Sequence, residues 1–462
     1  MRPHLLACLC TAIVIARPLT SQTPPFFVEV VDQATGRGVP LVELTTVHDV
    51  HFVTDSAGIA AIDEPELDGR EVWLHVKSHG YTVPADGFGN RGLRVTVARG
   101  TSKRFAIERV NVAERLYRVT GAGIYRDSVM VGRETPLAQP LCAGGVFGQD
   151  SVQNAVYAGK LFWFWGDTDC GGYPLGNFAT SGATSKLPGD GGLDPARGVD
   201  LDYFAGDDGF SRGMLPLDGP GPVWIDGLCV VADDDGREVM LCHYARMKDL
   251  GTVHEHGLAR WNDTTQRFDK VLALPLDETR HPFGHATRCQ LDGEDWLCFC
   301  HPFPQLRVRP RLSDLLDASR YEALPKRDPS ALRDVETGDP VEPHGGSLAW
   351  NAHRQKWIAI VLQKLGRSAL GEVWYCEADS PLGPWRDARR IVTHDDYSFY
   401  NVTQHVEFDQ QGGRFVYFEG TYTQTFSGNP VATPRYDYNQ VMYRLDLDDA
   451  RLRFDGAGAN ER

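Results

Sequence analysis

The stretch DSVQNAVYAGKLFWFWGD, residues 150–167, decides the fold. A polar residue opens an apolar strand, a tight turn marked by Gly159 reverses the chain, and an aromatic-rich strand returns to a second polar residue. Short apolar runs bounded by turn residues are the signature of a β-hairpin. The same arrangement recurs four times: from Asp226 through the turn 233–236 to His243, from His285 through 292–295 to His301, from His344 through 351–356 to Gln363, and from Asn401 through 409–413 to Glu419. Marked by Gly159, Asp235, Gly293, His353 and Gly412, the turns are separated by 76, 58, 60 and 59 residues. Material for outer strands follows several hairpins, at 256–262 with 267–274 and at 372–377 with 385–393. A module of this length holds four strands with long loops. Five modules between residues 113 and 452 predict an all-β protein built on a five-bladed β-propeller; six or seven would leave too little chain for each blade.

In a propeller the inner strand of every blade starts at one face near the axis, and the second strand returns to that face. The ends of the five hairpins then form two rings around one funnel. The inner ring is Asp150, Asp226, His285, His344 and Asn401 or Thr403; the outer ring is Asp167, His243, His301, Gln363 and Glu419. Carboxylates and imidazoles around a concave mouth are the groups that general acid–base chemistry uses. Glycoside cleavage takes two carboxyl groups, about 6.5–9.5 Å apart for inversion and about 5–5.5 Å for retention, and the sequence leaves both open. Of the aromatics beside these positions (Trp163, Trp165, Trp224, Phe283, Tyr400 and Tyr422), Trp163 is assigned to the core and Trp165 to sugar stacking. A Gly/Ser/Asn loop at 423–430 leads to Arg435 and Tyr436, taken as substrate contacts, while Arg307, Arg309 and Arg311 alternate along a solvated strand face.

Ahead of the repeats, FFVEVV (26–31), the turn 32–38, VPLVEL (39–44), TDSAG (54–58) and HGY (79–81) mark a small β-domain over 26–112. This order resembles the carboxypeptidase-regulatory, transthyretin-like fold, which implies an accessory β-sandwich without catalytic residues. Within it GFGNRG (87–92) matches G-x-G-x-x-G. That motif needs a helix N-terminus for its pyrophosphate, and a strand follows instead.

Arg2 and His4 precede an apolar run at 5–16, so residues 1–21 are expected to be an export signal, with Cys8 a weaker lipidation candidate. No segment reaches the roughly 20 apolar residues a membrane helix requires, so the mature protein is expected to be secreted or periplasmic; it is separately expected to be a monomer. Lys plus Arg number 47 against 62 Asp plus Glu, a net charge of −15, which sets the surface against nucleic acid. Ten cysteines less Cys8 and Cys10 leave an even number; Cys142 with Cys170 is the candidate disulfide, and Cys229, Cys242, Cys289 and Cys298 flank hairpin turns as small buried thiols or pairs.

GQDSV (148–152) followed by LFWFWGDT (161–168) resembles the first blade of five-bladed propeller glycoside hydrolases: the arabinanase, β-xylosidase and invertase-like families and the more distant D-arabinanase-type propellers with a GDT signature. VWYCEADSPLGPW (373–385) resembles their recurrent blade segment. The resemblance implies a hydrolase acting on a poly- or oligosaccharide, with Asp150 as general base (or nucleophile, if retaining) and Asp226 orienting the acid. The arabinanase-like acid is a Glu in the third blade, where this chain has His285; Glu419 is the expected substitute and Glu342 the second choice. An aromatic setting would raise the pKa of such an acid. Asp167, Trp165, His285, His344, Asn401, His405, Arg435 and Tyr436 are expected to contact substrate. No cofactor is required by this chemistry. A divalent cation near the axis would find imidazoles in His285, His344 and His405, whereas His254-Glu255-His256 lacks the i, i+4 spacing of a helical zinc motif. Two alternatives stay open, a metal- or His/Tyr-dependent polysaccharide lyase and a non-catalytic carbohydrate-binding propeller. No G-x-S-x-G elbow or phosphate loop is present in the sequence.

Overall fold

The computed structural model describes residues 23–177, 179–249, 251–325, 331–367 and 369–454, so the export-signal expectation for 1–21 lies outside the described residues. The described chain is all-β, with α-helix only at Arg126–Met130 and Leu312–Leu315. Among the described residues no helix is long and apolar enough to cross a membrane.

The first strands form two four-stranded sheets. Phe26–Asp32 lies between Ile59–Ile62 (antiparallel) and Ser102–Arg109 (parallel) in one; Glu43–Thr46 lies between His51–Val53 and Glu71–Lys77 in the other. Along Glu71–Lys77, Val72, Leu74 and Val76 alternate with more exposed residues, which turns one apolar face toward the opposite sheet. These residues meet Val28, Val30, Leu44, Val95 and Ile107 in a single core. The glycine run at 87–92 feeds the strand Gly92–Thr96 rather than a helix.

Five antiparallel sheets follow in chain order, each a meander, with a small three-stranded sheet beside the first. The first runs Gln153–Tyr157, Lys160–Trp165, Ser181–Ser185, Asp202–Tyr203; the second Val223–Ala232, Glu238–Asp249, Thr252–Asn262, Arg267–Leu274. The third runs His285–Leu291, Glu294–Cys300, Pro304–Val308, Glu322–Ala323, and the fourth Pro343–Asn351, Lys356–Gln363, Val373–Ala378, Asp387–Val392, with Arg333–Asp334 added in parallel. The fifth runs Ser398–Gln404, Phe415–Thr423, Asn439–Asp446, and its outer strand is Glu114–Arg118, from before the first sheet.

Hydrogen bonds connect each sheet to the next and the last to the first. Leu228 N donates to Gln153 Oε1 (3.1 Å), Arg288 to the Val230 carbonyl (2.9 Å), Thr287 Oγ1 to the Leu348 carbonyl (3.1 Å), Gln404 N to Ser347 Oγ (2.7 Å), and Ser151 N to Thr421 Oγ1 (3.3 Å). Five apolar wedges fill the spaces between successive sheets. Phe162, Phe164, Tyr244 and Trp261 pack between the first and second, Leu241, Phe299 and Val308 between the second and third. Trp296, Val361 and Trp374 lie between the third and fourth, Ile358, Tyr375, Phe418 and Tyr443 between the fourth and fifth, and Leu116, Trp163, Trp165 and Tyr417 between the fifth and first. Fully burying one such side chain contributes about 1.5–3 kcal/mol.

The N-terminal sheets are tied to this ring. Ser128 N donates to Asp55 Oδ2 (2.7 Å), Arg115 to Ser78 Oγ (2.6 Å), and Lys77 pairs with Asp396 (3.0 Å). The expected Cys142–Cys170 disulfide is not formed: all eight described cysteines are free thiols, and these two donate to the carbonyls of Val146 and Tyr173. Arg307 and Arg309 flank the Trp296 ring at 4.0 and 3.9 Å.

Leu116 is completely buried in the strand that completes the fifth sheet. Leu116→Ala is expected to lower unfolding free energy by about 2–5 kcal/mol, measured by urea titration. Phe88→Ala, at a residue 95% exposed, should stay within about 0.5 kcal/mol of the parent.

Candidate active site

All five sheets meet at one cavity of about 320 Å³. The first supplies Asp150, Ser151, Gln153 and Asp167; the second Trp224 and Asp226; the third His285 and His301, preceded by Gly284; the fourth Gly345 and Gly346; and the fifth Asn401. Among the described residues, no Lys or Arg lines it.

Asp150 stands just before the first strand of the first sheet, half-buried. Its Oδ2 accepts from the Tyr400 hydroxyl at 2.8 Å, and Tyr438 and Ser151 also hydrogen-bond to it. Burial pushes its pKa up to about 6; the Tyr400 bond lowers it and the charge of Asp167 raises it. Asp167 Oδ1 accepts from Trp224 Nε1 (2.8 Å), and burial raises its pKa as well. Asp226 takes the Gly284 N–H on Oδ2 (2.9 Å) and Gln153 Nε2 on Oδ1 (3.1 Å), and burial raises it to about 6. The loop bearing Gly284 crosses close over the second sheet: a Cβ on Gly227 (φ +61°) would come 2.4 Å from Phe283 N. The close approach and the left-handed backbone together require glycine there.

Burial holds the imidazoles of His285 (pKa about 3) and His301 below their ordinary range. His285 Nε2 lies 3.3 Å from Thr403 Oγ1, linking third and fifth sheets. His344 borders the cavity through His301, ring centroids 6.1 Å apart. Ser151 (φ +59°) and Asn401 (φ +54°) both adopt left-handed backbone and bond each other's side chains.

Of the residues expected from sequence, Asp150, Asp167, Asp226, His285 and Asn401 come together in the cavity. Five others do not. Glu419 is completely buried in the middle of Phe415–Thr423, 3.6 Å from His405 Nε2, which is equally buried against the Trp163 ring. The hairpin does not end at Glu419: its strand continues to Thr423, and Thr421 is the residue that reaches Ser151. Trp165 is buried too, stacked between Trp163 and Tyr203. Arg435 is exposed, and Tyr436 turns away to stack under the Arg118 guanidinium at 3.5 Å. The left-handed backbone at Tyr438 (φ +57°) brings that next tyrosine to Asp150 instead. Glu342 is exposed and pairs with Lys364 (3.2 Å). The proposed axial trio does not assemble: the one group of three ligand-type side chains with donor atoms mutually within 4.8 Å among the described residues is His243, His256 and His281, not His285, His344 and His405. Sequence reasoning also missed Tyr438, Gln153 and the Gly284 N–H: Tyr438 and Gly284 (both φ +57°) sit on left-handed backbone and Gln153 opens the strand Gln153–Tyr157, positions that leave no motif.

No known protein family and no curated protein matches the sequence. Solved structures similar to the chain include exo-β-1,3-galactanase from Phanerochaete chrysosporium with galactose (12% identity, 72% of this chain, 65% of that one, TM-score 0.38). They also include a putative exo-β-1,3-galactanase from Bifidobacterium bifidum (9%, 71%, 92%, 0.39) and an exo-1,5-α-L-arabinanase from a bovine ruminal metagenomic library (12%, 65%, 93%, 0.35). The chain thus covers less than two thirds of the Phanerochaete enzyme's length.

Because Asp226 ionises at about 6 in the fold instead of at the ordinary aspartate value of about 3.9, the unfolded chain binds fewer protons between those values and stability falls as pH rises through that window. Asp226→Asn is therefore expected to raise the melting temperature at pH 8 and to lose this advantage below about pH 4, a comparison made by calorimetry at both pH values.

Proposed function

We propose that the protein is a secreted glycoside hydrolase in which the five sheets are the blades of a propeller (113–452) and the N-terminal sheets a transthyretin-like accessory sandwich (26–112). The observation that carries this reading is the convergence of Asp150, Asp167 and Asp226 from two sheets on a cavity to which all five contribute.

Asp150 acts as general base. Tyr400 and Tyr438 orient its carboxylate, and a pKa of about 6 leaves it ionised at neutral pH while still a competent proton acceptor. Asp167 replaces Glu419 as proton donor to the glycosidic oxygen. Burial raises its pKa, Trp224 fixes one oxygen, and further desolvation under a bound sugar favours the protonated form that a donor needs. Asp226, held by Gly284 and Gln153, positions the pair. Trp224 offers a face for a sugar ring, and a neighbouring cavity of about 540 Å³ that shares His301 extends the site for a longer saccharide. A uronate-cleaving lyase would need a cation to offset the substrate carboxylate, and among the described residues the cavity is lined by carboxyl groups, which hydrolysis uses, and by no Lys or Arg.

A panel of plant, algal and bacterial-envelope glycans is expected to yield reducing ends without unsaturated, ultraviolet-absorbing products. Asp150→Asn should lower kcat at least about 10²-fold, with Glu419→Gln retaining turnover. Normal turnover by Asp150→Asn, or unsaturated products, would contradict the assignment.

A further inference from the structure

The geometry points to a metal site of zinc type in the second sheet, built from His243, His256 and His281. His243 lies in Glu238–Asp249, His256 in the adjacent strand Thr252–Asn262, and His281 in the loop that leads to the third sheet. One nitrogen of each lies within 4.8 Å of one nitrogen of both others. His243 Nε2 and His256 Nδ1 are 3.0 Å apart, and the rings of His243 and His281 stack at 3.9 Å. A tetrahedral zinc with Zn–N of about 2.0–2.1 Å sets its donors roughly 3.3 Å apart, so small rotations of these side chains enclose an ion.

Hydrogen bonding has already sorted the ring nitrogens. His256 Nε2 donates to the Pro275 carbonyl (2.6 Å) and His281 Nδ1 to the Pro282 carbonyl (2.8 Å). Each neutral ring therefore keeps a lone pair on its other nitrogen, the arrangement in which outer carbonyls fix metal-binding imidazoles. In the metal-free protein His243 Nε2–H fills the gap by donating to His256 Nδ1; on metal binding that proton moves to Nδ1 of His243 and no charge need leave the cluster. Three neutral imidazoles with a fourth position for water form a donor set suited to zinc.

The ion would clamp the loop containing Pro275 and His281 to the second sheet. The same loop carries Gly284, whose N–H holds Asp226, so the clamp supports the site without touching it.

Chelator-stripped full-length protein, titrated with Zn²⁺ by calorimetry and with Co²⁺ by visible absorption, is expected to bind one equivalent per chain and to melt at a higher temperature with metal. His281→Gln, in a half-buried loop position, should weaken Zn²⁺ binding at least about 10-fold. His353→Gln, at a histidine paired with Asp448, should not. Zinc-edge X-ray absorption on the wild-type protein should count three imidazoles, a reading independent of how any variant folds. Absence of saturable binding, fewer than two imidazoles on the bound ion, or unchanged affinity in folded His281→Gln would overturn the site.

Discussion

The ring closes where the Tyr400 hydroxyl meets Asp150 Oδ2, a contact between residues 250 apart in sequence. Beside it Asn401 reaches Ser151 Oγ, and Ser151 N reaches Thr421 Oγ1. These bonds join the fifth sheet to the first and also aim the Asp150 carboxylate at the cavity. Closure and site geometry are thus one constraint. Ser151 and Asn401 hold left-handed backbone that costs of order 1–3 kcal/mol per residue, and such conformations persist only where surrounding contacts over-determine them. Here both belong to the same clasp.

The five apolar wedges supply the stability against which the site is built. Asp150 and Asp226 are held in surroundings that disfavour their charge, and among the described residues neither has a cationic partner lining the cavity. That is unfavourable for folding and favourable for proton transfer near neutral pH. Rigid strands on five sides let a small set of hydrogen bonds fix groups that would otherwise relax toward water.

The five hairpins were legible because alternating strands and polar turns leave a local record, and the repeat multiplied it. Asp150, Asp167, Asp226, His285 and Asn401 followed from their places at hairpin ends. Glu419 did not, because a strand's true end is set by pairing: Phe415–Thr423 continues four residues beyond it, and a register shift between Tyr400 and Thr403 displaces its partner strand. Tyr436 and Tyr438 exchange faces through backbone conformations that composition does not encode. His243, His256 and His281 share no motif spacing; only sheet pairing and a crossing loop make them neighbours.

The account depends most directly on Asp150 being buried in the cavity and held by Tyr400. Difference infrared titration of the wild-type protein against Asp150→Asn isolates that carboxyl group without a substrate. It is expected to titrate near 6, and to move higher in Tyr400→Phe, where a bond favouring the carboxylate is removed. Titration near the ordinary aspartate value of about 3.9 in both proteins would show that the clasp and the buried carboxylate do not exist as described.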